Sequence, residues 1–307
     1  MLRPFLTFLA ASVAAPVMAQ GPAIPNGQST DCLLRVNPTP SSWIIKGHDP
    51  FSGTIPEGTF GVTFINEGGA ECRFTPRFEL NPPPFGLSKG TGRPVAYSLV
   101  NLTDTRDVTP RAGRSVAFAS QSEMELKPRE SRSILYKLVA DPAHISGSGT
   151  FTQDVTLEAQ DKQFRSLGGA PLVLGLNVLP SARIGLSGTY TMNDGQAFVN
   201  LGELKEGVAP LLLNLLVSST GDYDILVSSA NSGQLRLGSS QWSVPYSIAI
   251  GGTGVNLAGP RTVSGTSKSR RPGLIRDALP IDFIIGDVSK KRAGVYSDVI
   301  SVTVTAR

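Results

Sequence analysis

The chain has 307 residues, of which 33 are glycine and 23 are proline, and only 17% are charged. Because Gly and Pro cost roughly 1 and 3 kcal/mol in a helix interior, this composition excludes long helices and coiled coils. Disorder is excluded as well, since 40% of the residues are hydrophobic and the net charge is only +4. The length suits two domains of roughly 100–200 residues, and the composition predicts a β protein with many turns.

Residues 1–19 are predicted to be a secretory signal peptide. Arg3 supplies the positive charge, residues 5–15 are apolar, and residues 17–19 form a small-x-Ala cleavage site before Gln20. No later segment reaches the ~18 uninterrupted apolar residues that a membrane-spanning helix needs. We therefore expect an exported protein of bacterial type that reaches the periplasm or the cell surface.

The two cysteines, Cys32 and Cys72, are predicted to form a disulfide, because export places them in an oxidising compartment. The bridge would close a loop of about 40 residues and connect the first strand to a later strand of the N-terminal half. The alternative is a pair of buried free thiols.

Alternating apolar residues predict strands in both halves of the chain. In the first half the predicted strands cover residues 59–65, 71–79, 115–119, 131–139 and 172–179. In the second half they cover residues 211–218, 222–229 and 280–285. A turn is predicted at Gly168-Gly169, followed by a strand that presents Leu172, Leu174, Leu176 and Val178 on one face.

An internal repeat relates the two halves. Four positions of the segment 149–159 match the segment 294–304: Gly149 with Gly294, Phe151 with Tyr296, Val155 with Ile300, and Leu157 with Val302. A second pair of segments, 95–99 and 244–248, keeps the order and a similar spacing. We predict two tandem immunoglobulin-like β-sandwich domains, residues 20–179 and 180–307, divided near Pro180.

The two repeats end differently, which suggests a mechanism. The first is followed by a further strand, whereas the chain stops three residues after Val304. A sandwich that lacks a strand exposes an apolar groove between unpaired edges, and such edges recruit a strand from another chain. The predicted strand-acceptor groove comprises Gly294, Tyr296, Ile300, Val302 and Val304. The alternative is a domain with one strand fewer and a covered edge, and the pattern alone leaves both open.

The C-terminal segment resembles the spore coat protein U domain, the building block of archaic (Csu-type) chaperone–usher pili. The resemblance lies in the segments 244–248 and 293–304, and Gly294 is the fourteenth residue from the C-terminus, where pilins of this superfamily carry Gly. It covers residues 180–307 and is weaker over 20–179.

The resemblance implies donor-strand complementation, in which a periplasmic chaperone lends a strand that the next subunit replaces at the outer-membrane usher. The mature start, residues 20–28, has two prolines and no apolar alternation, so it is a poor donor strand. A subunit that accepts a strand but cannot donate one caps the fibre. With the self-complete first domain, this resembles a two-domain tip adhesin that mediates surface attachment or biofilm formation.

Two sets of residues are candidates for contact with a receptor or surface of unknown identity. Phe85 and Leu87 lie in a loop that three prolines stiffen, and Trp43 and Phe51 form the second set. The alternatives are that Trp43 and Phe51 belong to the core and that Phe85 covers a sheet edge.

Other functions fit the sequence less well. An enzyme would need paired carboxylates in a cleft, and Asp and Glu are scattered without a motif. No cofactor is expected, and the cysteines, with the only two histidines, His48 and His144, match no zinc-site spacing. The basic clusters at 268–271 and 290–292 lack interleaved aromatic residues, so no nucleic-acid partner is expected. A periplasmic chaperone and a coat protein assembled without an usher remain as alternatives.

Overall fold

The computed structural model describes residues 31–81, 84–90, 92–110, 122–265 and 274–307. Several predicted features lie outside the described residues: the signal peptide at 1–19, the N-terminal segment 20–28, the strand at 115–119, the basic cluster at 268–271, and two prolines of the 82–84 run.

Ten strands form the first sandwich. In chain order they are β1 (Leu34–Thr39), β2 (Ser42–His48), β3 (Glu57–Asn66), β4 (Cys72–Leu80), β5 (Tyr97–Asn101), β6 (Arg106–Asp107), β7 (Met124–Leu126), β8 (Ser131–Ala140), β9 (Gly149–Gln160) and β10 (Ser166–Val178). One sheet has the order β1-β3-β8-β5-β6 and the other β2-β10-β9-β4-β7. A short 3₁₀ turn, Pro142–His144, precedes β9.

The core of the first sandwich is built by strands whose burial alternates with period 2. Trp43 lies at its centre, stacked on Phe60 with ring centroids 5.3 Å apart and on Tyr136 at 5.8 Å. The Cys32–Cys72 disulfide forms as predicted, with a Cα–Cα distance of 5.2 Å, and joins the start of β4 to the residues before β1.

The described residues after Pro180 contain thirteen strands, eleven of which form the second sandwich. They are β11 (Ala182–Gly188), β12 (Thr191–Asn193), β13 (Gln196–Phe198), β14 (Gly207–Val208), β15 (Leu213–Ser219), β16 (Tyr223–Ser229), β17 (Gln234–Leu237), β18 (Ser243–Ile250), β19 (Thr253–Val255), β20 (Arg261–Gly265), β21 (Ile275–Ile285), β22 (Tyr296–Ser297) and β23 (Ile300–Ala306). The larger sheet has the order β11-β15-β21-β18-β17-β22, with β14 beside β21 and β19 beside β18. The smaller sheet is β20-β16-β23, and β12 and β13 form a separate hairpin.

The strand orders of the two sandwiches correspond over most of their length. The order β1-β3-β8-β5 in the first matches β11-β15-β21-β18 in the second, and the pair β4-β9 matches β16-β23. The fold class predicted from the sequence, all-β with tandem immunoglobulin-like sandwiches, is confirmed. The difference lies beside β9 and β23: β10 pairs with β9, and the described residues place no strand in the corresponding position on β23.

We call the end of the second sandwich that lies beside the first sandwich the joint end, and the opposite end the far end. At the joint end Thr220 N donates to Ser181 O at 3.0 Å and Ser148 N donates to Thr220 O at 3.2 Å, so the first sandwich contacts the turn between β15 and β16. β11 begins here and β23 ends here, since Ala182 pairs with Ser219 and Ala306 with Tyr223.

The turn between β9 and β10 lies at residues 161–165, and the turn predicted at Gly168-Gly169 is wrong. Both glycines belong to β10, where a Cβ on Gly168 would lie 2.2 Å from Leu34 O. These glycines therefore permit a close approach of strands rather than a chain reversal. The carboxylate of Asp161 forms the actual turn by accepting from Gln163 N and Arg165 N.

Reduction of the disulfide is expected to destabilise the first sandwich by about 4 kcal/mol, because the bridge closes a 40-residue loop in the unfolded chain. The measurement is urea unfolding of the full chain carrying Trp242→Phe, with and without reductant. Fluorescence then reports on Trp43, the one tryptophan left, which is fully buried. The control is the same chain with Cys32→Ala and Cys72→Ala, whose stability should not respond to reductant. A loss below about 1 kcal/mol would contradict the entropic account.

Candidate strand-acceptor groove

Two edge strands of the second sandwich, β11 and β23, lie along the same side of it. β11 pairs through all seven of its residues with β15, and β23 pairs through all seven of its residues with β16. Among the described residues neither strand has a partner on its other edge. The open edges belong to different sheets, so the sandwich is open along one side.

The apolar residues that face inward along this opening are incompletely covered. Ile184 and Leu186 of β11, with Ile300, Val302 and Val304 of β23, pack against the buried cluster yet are only half-buried. Their neighbours on β16, Ile225 and Val227, are fully buried. The five half-buried side chains line an apolar groove, which we call the acceptor groove.

The first sandwich shows what covers the same positions. Phe151, Val155 and Leu157 of β9 match β22–β23 in the repeat, and each is at most 2% exposed. The covering strand is β10, which runs antiparallel to β9 and parallel to β2. Leu174 and Leu176 of β10 are completely buried. Among the described residues, the second sandwich has no strand in the position that β10 occupies in the first.

A polar cluster fixes the start of β23. The carboxylate of Asp298 accepts from Tyr246 Oη at 2.6 Å, Asn231 N at 3.0 Å and Val299 N at 2.8 Å, and it also bonds Ser229 Oγ. Burial, followed by the hydrogen bond to Asp298, raises the pKa of the Tyr246 hydroxyl, so this group stays a donor at neutral pH. β23 is thus held at its far end by contacts other than a second strand.

The joint end of β23 is held by the last residue of the chain. Arg307 N donates to Asp222 O at 2.7 Å, and Arg307 Nε lies 3.4 Å from Asp224 Oδ1. Asp222 directly precedes β16, and Asp224 belongs to it. The two contacts keep β23 on its one partner and leave its other edge accessible.

Two residues predicted to line the groove lie elsewhere. Tyr296 belongs to β22 and pairs with Leu237 at the edge of the larger sheet, and its hydroxyl donates to Arg292 O at 2.7 Å. Gly294 also packs on Leu237, where a Cβ would lie 2.4 Å from Cδ1. The prediction is wrong for both, because the Asp298 cluster divides into β22 and β23 the segment that is one strand, β9, in the first sandwich. The structure brings Ile300, Val302 and Val304 together on the free edge.

The structure also corrects the predicted contact residues. Trp43 and Leu87 have no exposed surface, so the prediction that they form a contact surface is wrong. Trp43 fills the core, and Leu87 is held inside by reciprocal hydrogen bonds with Val95. Phe85 is half-buried and stacks on Tyr97 at 4.6 Å, and its loop is fastened by Gln153, which accepts from Gly86 N at 3.0 Å. That loop is anchored to β9 rather than free.

Phe51 is half-buried, but it lies at the end of the first sandwich that faces the second. It follows His48, whose carbonyl accepts from Leu179 N at 2.9 Å, and Leu179 comes directly after β10. The opposite end of the first sandwich lies away from the second sandwich.

Sequence reasoning missed an exposed aromatic residue at that opposite end. Phe164 is 56% exposed at the turn between β9 and β10, with φ of +64°. Arg77 lies over its ring at 5.6 Å, and Arg165 pairs with Asp161 beneath it at 2.7 Å. Burial alone would raise the pKa of Asp161, but hydrogen bonds from Arg165 and Gln163 hold it below its ordinary value. The sequence signal for this turn was Asp161, because an Asp side chain often forms a turn by accepting a hydrogen bond from the backbone N–H two residues later. The sequence prediction placed the turn at Gly168-Gly169 instead.

Two general features bear on other functions. The described ranges contain no group of three or more His, Cys, Asp or Glu side chains placed to hold a metal ion. Within the same ranges, no helix is long and apolar enough to cross a membrane.

No family model matches the chain, and no curated protein matches it either. Among solved structures, it is similar to a chain of the CsuC–CsuE chaperone–tip adhesion subunit pre-assembly complex from archaic chaperone–usher Csu pili of Acinetobacter baumannii. The two are 13% identical with a TM-score of 0.46, over 89% of this chain and 99% of the other.

Two further structures come from Escherichia coli. CfaE, the adhesive subunit of CFA/I fimbria of the enterotoxigenic form, is 10% identical with a TM-score of 0.38, over 86% of this chain and 91% of its own. The chaperone DraB is 10% identical with a TM-score of 0.24, over 87% and 98%. The structural neighbours thus include fimbrial adhesins and chaperones of pilus assembly.

Truncation of a groove residue is expected to cost less than the same truncation under β10. Val155→Ala should lower the free energy of opening of β4 and β9 by about 2–3 kcal/mol, because it leaves a cavity in a closed core. Val302 lies on β23, which pairs with β16. Val302→Ala should lower the free energy of opening of β16 by about 1 kcal/mol or less, because Val302 already contacts solvent. Native-state hydrogen exchange on the full chain measures the free energy of opening of each sandwich separately. Equal losses would mean that the groove is already closed.

Proposed function

We propose that this chain is a non-catalytic tip subunit, an adhesin, of a fibre assembled by donor-strand complementation. One observation carries the proposal. The inward faces of β11 and β23 are half-buried beside two unpaired edges, whereas the corresponding faces in the first sandwich are covered by β10. A strand from another protein would complete the second sandwich as β10 completes the first.

The groove limits the strand that it would accept. β11 and β23 each offer seven residues, about 23 Å of strand at the usual rise. Main-chain hydrogen bonds along the free edge of β23 would provide affinity, as those between β9 and β10 do in the first sandwich, and apolar side chains at alternate positions would fill the gaps beside Ile184, Leu186 and Val302. Proline would be tolerated only at the ends, because an internal proline removes a ladder donor.

The direction of that strand supports a position at the fibre tip. A strand running antiparallel to β23, as β10 runs to β9, would begin at the joint end and leave at the far end. The folded part of the donor, which follows its N-terminal strand, would therefore lie beyond the far end. The first sandwich lies at the joint end, where Ser148 contacts Thr220, and would be left free at the end of the fibre.

The partners and the route follow from this proposal. An open apolar groove promotes aggregation, so a periplasmic chaperone would cover it until the outer-membrane usher exchanges the chaperone for the adjacent subunit. The chain would be secreted by its signal peptide, divided into domains at 20–179 and 180–307, and displayed at the cell surface. The second domain would be a pilin domain of the spore coat protein U type.

The first sandwich would mediate attachment or biofilm formation through its free end. Leu33 and Phe164 both lie at that end and are 51% and 56% exposed. Glu67 N bonds Leu33 O next to the disulfide, and the Asp161 turn orients Phe164, so both side chains are presented on ordered backbone. Rigid apolar anchors bind at low entropic cost.

The second candidate is a coat or surface protein with the same groove but no usher. The same observation favours it, since a free edge also accepts a strand from an identical chain. A chaperone and an usher encoded beside this chain would favour the pilus. Self-assembly of the purified protein without either would favour the coat.

A peptide with the sequence of residues 171–178, flanked by lysines for solubility, should bind the second sandwich of the full chain. At a hundred times its dissociation constant it would stabilise that sandwich by about 2.7 kcal/mol. The measurement is hydrogen exchange, with new protection expected in β23, the strand that corresponds to β9. A peptide with Ser in place of Leu174 and Leu176 is the matched control.

Variants on the two faces of β23 make this test specific. Val302→Asp should abolish peptide binding, because it places a charge on the groove face. Thr303→Asp, on the outward face of the same strand, should leave it unchanged. A chain that shows no protection with the peptide, or that binds equally with both variants, would refute the acceptor groove.

Attachment should depend on Leu33 and Phe164. The double variant Leu33→Ser with Phe164→Ser should reduce adsorption of the full chain to a methyl-terminated monolayer several-fold, measured by quartz-crystal microbalance. The matched control is Phe51→Ser with Ile55→Ser, which removes apolar surface at the opposite end of the same sandwich. Equal adsorption by both double variants would exclude the free end as an apolar contact surface.

A further inference from the structure

The exposed apolar side chains of the second sandwich are concentrated at its far end. Among the described residues of this sandwich, eight of the ten large apolar side chains that are at least 36% exposed lie there. They are Met192, Phe198, Val208, Leu212, Trp242, Ile284, Val295 and Val299. We call this set the far rim.

Strand registers place two residues of the far rim, Leu212 and Val299, beside the mouth of the acceptor groove. β11 ends at Gly188, which pairs with Leu213, and Thr189 N donates to Leu212 O at 2.8 Å. Across the opening, β23 begins at Ile300, and Ala230 N donates to Val299 O at 2.9 Å. Leu212, 82% exposed, and Val299, 60% exposed, thus stand on the two sides of the mouth.

Four further residues of the far rim lie along the larger sheet: Val208, Ile284, Trp242 and Val295. Val208 pairs with Ile284 near the far end of β21. Leu237 pairs with Tyr296, next to Val295, and Leu237 N donates to Trp242 O at 3.0 Å. The two exposed apolar residues that are not in the far rim, Leu216 and Leu226, lie in the middle of β15 and β16.

The β12–β13 hairpin extends from this end and lacks a packing partner of its own. All six of its residues are exposed. Met192 and Phe198 point to opposite faces, because they belong to adjacent cross-strand pairs and successive pairs alternate between faces. A two-stranded ribbon is at best marginally stable in water unless one face is covered. The hairpin therefore has the properties of an arm that packs on another protein.

We propose that the far rim is a second interface, which receives the folded body of the protein whose strand fills the acceptor groove. This inference rests on the proposed function. A strand antiparallel to β23 leaves the groove between Leu212 and Val299, so the residues that follow it must pass over the far rim. The tether holds that body at high effective concentration, which makes even a small apolar contact effective.

The direction of the added strand relative to β23 favours the folded body of the strand donor over other occupants of the far rim. A strand parallel to β23 would leave the groove at the joint end, where the first sandwich already contacts Thr220. A body attached to such a strand would meet the first sandwich instead of the far rim. A partner with no strand in the groove would have no reason to select the end at which the groove opens.

Site-specific photo-crosslinking in the cells that make the full chain tests this inference. p-Benzoylphenylalanine is placed at Phe198 or Leu212 in the far rim, and at Leu216 or Leu226 as matched controls. It is also placed at Thr303, whose outward side chain would lie beside an added strand. Mass spectrometry then identifies both the polypeptide captured and the peptide to which it is joined.

The inference expects one polypeptide at both sites, joined through its N-terminal strand at Thr303 and through its folded part at Phe198 and Leu212. Capture at Thr303 with no capture at the far rim, or with a different polypeptide there, would overturn the second interface and leave the proposed function standing. No capture at Thr303 would overturn the proposed function itself. Capture at Leu216 and Leu226 equal to that at the far rim would also overturn the inference.

Binding of the captured polypeptide, once purified, gives the quantitative test. Phe198→Ser with Leu212→Ser should weaken its binding to the full chain about tenfold or more. Binding of its isolated N-terminal strand as a peptide should not change, because that peptide does not reach the far rim. Leu216→Ser with Leu226→Ser should affect neither. Equal weakening of peptide and polypeptide would show that the far-rim variants damage the groove and would overturn the inference.

Discussion

The pairing of β10 with β9 is the interaction that separates the two sandwiches. β9 has a partner on both edges, and its inward residues are buried. β23 follows the same alternation, but within the described part of the chain it has a partner on one edge only, and its inward residues stay half-buried. One strand therefore decides whether a sandwich is closed or open, because it supplies both the missing hydrogen bonds and the missing apolar cover.

Under the proposed function, an open sandwich needs a defined shape to receive a strand, and polar contacts would provide it. Asp298 holds the start of β23 against Tyr246 and Asn231, and Arg307 holds its end against Asp222 and Asp224. The first sandwich needs no such clasp on β9, since β4 and β10 hold it on both edges. Because β23 is fastened at both ends, the ordering that a bound strand must impose is small, and less binding energy is lost to it.

The topology also assigns different tasks to the two ends of the second sandwich. The joint end is occupied by the contact between Ser148 and Thr220, while the far end carries the mouth of the acceptor groove. Exposed apolar residues are sparse along the flat faces of the sheets and concentrated at the far rim. This distribution is what the proposed fibre would require, with the next subunit at the far end and the first sandwich free at the other.

The sequence by itself determined the fold class and the alternation of Ile300, Val302 and Val304, because period-2 patterning is a local property of the chain. It also predicted the disulfide, from the expectation that the chain is exported. Only the tertiary structure decided which apolar residues are covered. Trp43 and Phe164 both lie in short segments that local patterning cannot place, yet one is enclosed by three aromatic rings and the other stands on a turn. Gly294 and Tyr296 lie outside the groove because the Asp298 cluster interrupts the strand. That cluster joins Asp298 to Asn231 and Tyr246, which are over 50 positions away in the sequence. Burial depends on contacts between distant segments, and no local pattern encodes them.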